Sequence, residues 1–162
     1  MKKLLRQLEV LGIGGAMALS AAFSLPAAAA YVRPHIHHAP FGVVRVVVPM
    51  TSASPAIWGF KLHNLENAMS GIKAWHGRLE ARVVLYGPGV KLLMKPMNPN
   101  FKAEVDQLRA AGVKFEVCNN TLKAMNLDWH DLQGVKQSDI VPAGFIEVGW
   151  LANHGWAVDA MN

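Results

Sequence analysis

The one cysteine of the chain, Cys118, ends an apolar run and opens a polar one in "GVKFEVCNNTLKAMN", residues 112–126. A thiolate is a strong nucleophile. Its pKa falls where free backbone N–H groups and the positive end of a helix face the sulfur. A helix beginning at Asn119 or Asn120 would put Cys118 in that position. Asn119, Asn120 and Thr121 are all residue types that cap a helix or line a site beside one. A lone cysteine makes no disulfide within its own chain, so Cys118 is either a packed, inert group or a reactive one.

Other residues invite the same question. His63 and Asn64, with Asn67 nearby, fall in the first helical segment and offer polar groups to a site. Gly87 and Gly89 flank Pro88 in a tight turn where a ligand could approach the backbone. His130, in "DWHDL", could serve a thiol as base or sit beside Asp128 and Asp131 on a surface helix. His35, His37 and His38 form a cluster of a kind that binds soft metals, but no further ligand stands at a diagnostic spacing. They read as a solvated arm, and no metal is assigned. The Gly87-Pro88-Gly89 turn is too short for a dinucleotide fingerprint and lacks a P-loop lysine. Ser52 and Ser54 lack the context of a nucleophile elbow. No cofactor is expected.

These residues must be positioned by a small set of elements. "GVVRVVV" is a β-branched run that reads as a strand over 43–48, buried on both faces. From Ile57 the pattern turns helical, with Leu62, Leu65, Met69 and Ile72 on one stripe. "HGRLE" breaks that helix, and "ARVVLYG" supplies a second strand. "VKLLMK" suggests a short helix, and "MNPN" a loop. "FKAEVDQLRAAG" is an amphipathic helix stopped by Gly112. "VKFEV" is a third strand, followed by a short helix over 120–125. Residues 143–153 are helical, and "WAVDA" is a further strand. Strands alternating with helices predict βαβ units and an open, mostly parallel sheet of about five strands between two helical layers, an α/β/α sandwich. Ligands of such sheets bind beyond the carboxyl ends of the strands, which is where Cys118 and the Gly87–Gly89 turn would lie. The five tryptophans read as core or subunit contacts.

The first thirty residues are set apart. A basic start, an apolar middle and Ala28-Ala29-Ala30 have the layout of a secretory signal peptide. The expected organisation is a leader over 1–30, a His/Pro-rich arm over 31–40 and one domain over 41–162. The expected address is the periplasm, with no membrane attachment after cleavage. Without the leader's three basic and one acidic residues, 13 Lys/Arg face 10 Asp/Glu. These charges are interspersed, so nucleic acid is not an expected partner.

"GVKFEVCNNTLKAMNL", "LYGPGVKLL" and "VPAGFIEVGWLANHGWAV", in that order, resemble the DsrE/DsrF-like family, which includes the sulfur-relay and YchN-like proteins. The resemblance spans the chain from Val43 onward and implies a flavodoxin-like fold and assembly into homotrimers or homohexamers. It also implies that Cys118 accepts sulfane sulfur as a persulfide and passes it on, as a sulfurtransferase or sulfur carrier. Donor and acceptor proteins, or small sulfur compounds, would be its partners. The chain lacks the Arg-Gly that many relay members carry shortly after the cysteine, and Lys123 is the nearest cation. Two other readings stand beside this one: a non-catalytic oligomeric binding module with a packed cysteine, and an envelope metal-handling protein using the His arm.

Overall fold

The computed structural model describes residues 38–160; the expected leader and the first part of the expected arm, with His35 and His37, lie outside the described residues. Five strands form one sheet: β1 (Gly42–Met50), β2 (Gly77–Leu85), β3 (Lys114–Cys118), β4 (Ile140–Val141) and β5 (Ala157–Val158). All pairings are parallel, in the order β4-β3-β2-β1-β5. The helices are α1 (Pro55–Gly71), α2 (Pro99–Ala110), α3 (Asn119–Met125) and α4 (Gly144–Asn153), with 3₁₀ turns between them. No helix among the described residues is long and apolar enough to cross a membrane.

The order of the strands explains the layers. From β1 to β4 the chain advances in one direction, and α1, α2 and α3 cover one face. The last connection reverses past β1 to β5, so right-handed crossover sends α4 to the opposite face. Side-chain parity records the same division. Val48, Met50, Val83, Leu85, Phe115 and Val117 enter the large core with Leu62, Leu65, Val105, Leu108 and Leu122. Val47 and Val84 point the other way, onto Leu151 of α4. Each fully buried aliphatic side chain contributes about 1.5–3 kcal/mol of transfer free energy, so the larger cluster carries most of the stability. By the same alternation, Glu116 and Cys118 of β3 belong to the α4 face.

Two boundaries differ from the sequence pattern. β2 starts at Gly77, because "GRLEA" alternates and sets Leu79 and Ala81 toward the large core. The break falls at His76, in the left-handed region at φ 52°. α2 starts at Pro99, with Asn98 as its cap: the Asn98 Oδ1 accepts from the Asn100 N–H at 3.0 Å.

A single short helix leaves its face thinly covered. Phe145, Ile146 and Trp150 on the outer side of α4 are 72%, 66% and 53% exposed. Beneath α4, Arg82 bridges Glu116 at 3.0 Å and Glu147 at 3.5 Å, and its guanidinium lies 5.0 Å from the Trp156 ring centre. Burial raises the Glu116 carboxyl above its ordinary range, and the Arg82 charge opposes that.

Candidate functional site

Cys118 is the last residue of β3 and the N-cap of α3. β3 is extended up to the cysteine by its pairing with β2 and β4, and the chain then turns directly into helix. The sulfur therefore takes the place of a capping side chain, facing the N–H groups at the second and third helical positions. These belong to Asn120 and Thr121, and both lower the thiol pKa. Neither completes a cap on the neutral thiol; their effect is on the charged form. Asn119, Asn120 and Thr121 thus do not cap α3 with their own side chains, since the cap position belongs to Cys118.

A second donor arrives from just beyond β4, the strand paired with the end of β3. α4 begins at Gly144, after Ala143 as an N-cap without a side-chain hydrogen bond. The Gly144 backbone N–H also faces the Cys118 sulfur. Glycine is required by the packing: a Cβ at 144 would lie 2.9 Å from Tyr86 Cβ and 3.1 Å from Cys118 Cβ. Thr121 completes the set. Its hydroxyl accepts from the Gly87 N–H at 2.8 Å and donates to Cys118, tying the end of β2 to the sulfur through one oxygen. The balance has a clear sign. Burial raises the thiol pKa and is the largest single influence. The Thr121 hydroxyl, with the N–H groups of Gly144, Thr121 and Asn120, outweighs it and holds Cys118 below the ordinary thiol value.

Access is narrow. Cys118 is 5% exposed, packed against Gly144 and near Tyr86. Burial, and next the Cys118 charge, push the Tyr86 phenol above its usual range. The Phe145 ring meets Tyr86 edge-on at 6.5 Å.

The remaining sequence candidates fall in several places. Gly87 takes part through its N–H. Gly89 holds the turn against β1, where a Cβ would come 1.9 Å from the Met50 carbonyl oxygen. His63 and Asn64 lie mid-way along α1 and make no hydrogen bond or ion pair with the Cys118 group; His63 instead faces Glu66 and Glu104. His130 is exposed, stacked on Trp129, with Nδ1 2.6 Å from Asp128 Oδ1. His38 packs edge-on against Trp75 at 4.9 Å. Lys123 is exposed on α3.

Sequence reasoning missed Tyr86, Gly144 and Lys61. Lys61 is buried on the apolar stripe of α1, four residues before Leu65. Its Nζ donates to the Pro49 carbonyl at 2.8 Å and pairs with Asp159 at 3.2 Å. It thereby joins the carboxyl end of β1 to the residue that follows β5. A charged residue in register with Leu65, Met69 and Ile72 was the available signal.

The fold and this thiol at the strand ends define a class, and comparison with known proteins identifies it. The model of the DsrE/DsrF-like family matches residues 46–158, most of the chain. The chain belongs to the DsrE/DsrF-like family, which is associated with sulfur relay. Among solved structures it is similar to MTH1491, a protein of unknown function from Methanobacterium thermoautotrophicum, at 27% identity and a TM-score of 0.63. That match covers 72% of this chain and 97% of the other. No curated protein matches the chain.

Proposed function

We propose that the protein is an exported, periplasmic sulfur carrier that holds sulfane sulfur as a persulfide on Cys118. The observation that carries this reading is the depressed thiol, held by donors from Thr121 and from the starts of both α3 and α4. The Cys118 thiolate attacks the terminal sulfane sulfur of a donor persulfide or polysulfide. A new S–S bond forms at Cys118, the donor S–S bond breaks, and the donor leaves as a thiolate. The sulfur moves as a neutral atom, so no external oxidant or reductant is consumed. Transfer onward is the same step in reverse, to an acceptor thiolate. The backbone donors stabilise the anionic sulfur both before loading and after release.

The leader-like first thirty residues support export. The exposed Phe145, Ile146 and Trp150 on α4 support assembly into a homotrimer or homohexamer through that face. Replacing Trp150 with Glu is expected to lower the sedimentation coefficient of the purified protein; a monomeric wild type would remove this part of the proposal.

A second reading, a binding module with a packed cysteine, is favoured by the small exposure of Cys118. Cyanolysis separates the two. Wild type treated with polysulfide and desalted should release thiocyanate on addition of cyanide, and Cys118→Ala should release none. Equal release from both proteins, or none from wild type, leaves the packed-cysteine module.

A further inference from the structure

We infer that His63, Glu66 and Glu104 form a binding site for a divalent transition-metal ion of the Zn²⁺ type, between α1 and α2. His63 and Glu66 stand at i and i+3 on α1 and so share a face. Glu104 reaches toward them from α2. One ligand atom from each of the three lies within 4.8 Å of the other two. A tetrahedral ion held at about 2.0–2.2 Å needs neighbouring ligand atoms about 3.4 Å apart. Rotamer changes alone can close that gap, because His63 is 68% exposed on its side chain and free to swing.

The charge balance of the cluster points to a cation. Two carboxylates face each other, and among the described residues no Lys or Arg forms an ion pair with either. The nearest positive partner is the His63 imidazole, with Nδ1 3.8 Å from Glu66 Oε2. A bound dication would neutralise both carboxylates. The mixed ligand set selects the ion: an imidazole favours Zn²⁺ and its neighbours over Mg²⁺ and Ca²⁺, which prefer oxygen alone. Three protein ligands would leave a fourth position open to water or a small anion. This cluster lies on the face of the sheet opposite Cys118 and owes nothing to the sulfur chemistry.

The test must exclude the other ligands that the full chain offers. Calorimetric titration with Zn²⁺ would use full-length protein carrying His35→Ala, His37→Ala, His38→Ala and Cys118→Ala. That background should still bind one Zn²⁺ per chain and melt at a higher temperature with the ion than without it. Adding Glu104→Gln or His63→Ala should weaken binding at least about tenfold and remove the shift in melting, as loss of a ligand does. Both changes sit on helix surfaces that pack little, so the fold should survive them. Mg²⁺ at the same concentration should give no heat. Absence of Zn²⁺ binding in the background protein, undiminished binding by both added variants, or equal affinity for Mg²⁺ would overturn the site.

Discussion

Thr121→Val removes one oxygen that serves two partners, and its consequences can be worked through. Valine has nearly the same shape as threonine, so the packing of a residue that is almost fully buried is preserved. The Gly87 N–H loses its acceptor at 2.8 Å, and the thiolate loses its side-chain donor. Leaving a buried donor unsatisfied costs about 1–3 kcal/mol. With a urea slope of about 2 kcal/mol/M, a loss near the middle of that range moves the unfolding midpoint down by about 1 M. The same change must raise the Cys118 pKa, because the strongest of the effects lowering it is gone while burial remains. The assay is the rate of iodoacetamide modification against pH, beside urea denaturation. In Thr121→Val the rate profile should shift to higher pH. Thr121→Ser, which keeps the hydroxyl and drops only a methyl, should restore the wild-type profile. An unshifted profile in Thr121→Val, or a shift of equal size in Thr121→Ser, would refute the role given to the hydroxyl.

Other perturbations have equally defined outcomes. Gly144→Ala sets a methyl against Tyr86 and Cys118; overpacking should cost about 1–3 kcal/mol, read by urea denaturation, and should slow alkylation of Cys118. Asp159→Ala leaves the Lys61 ammonium buried with the Pro49 carbonyl as its remaining hydrogen-bond partner. It should destabilise by about 3–5 kcal/mol, and Lys61→Met in the same background should recover part of the loss. Stability should also depend on pH through Cys118. The folded thiol titrates below its unfolded value of about 8.5, so the unfolded chain binds more protons between the two. The thiolate's contribution is complete above the unfolded pKa and is lost as pH falls through the folded one. Relative to Cys118→Ser, wild type should therefore gain stability as pH rises toward about 8.5 and gain no more beyond it.

Much of the architecture is legible in the sequence because its elements are long and strongly patterned. Val46–Val48 and Val83–Leu85 are continuous apolar runs, and a run of that kind has one good home, a strand covered on both faces; the expected burial does not extend to the start of β1, where Val43 and Arg45 are exposed. β4 is not legible. Ile140 and Val141 form only two residues of ladder, placed by their pairing with Val117 and Cys118 rather than by local preference. The start of β2 hides for another reason: Arg78, Glu80 and Arg82 alternate with core residues and make the segment read as polar.

The site divides in the same way. The position of Cys118 at a strand end before a helix is a local property, available from "FEVCNNTL". Tyr86 is brought to the sulfur by the pairing of β2 with β3, and Gly144 by the pairing of β4 with β3; both are long-range events with no local mark. His63 shows the limit of reasoning by segment. It belongs to the helix that leaves the site-forming edge of β1. Eight residues in from Pro55, at 1.5 Å each, carry it about 12 Å along the axis, to the company of Glu66 and Glu104.

Intact-mass spectrometry addresses the sulfur-carrier reading most directly. Purified wild-type protein is exposed to polysulfide, desalted and weighed before and after treatment with dithiothreitol. The account predicts a mass increase of whole sulfur atoms on wild type, removed by the reductant and absent from Cys118→Ala. Wild type that gains no reducible sulfur, or Cys118→Ala that gains as much, would contradict it.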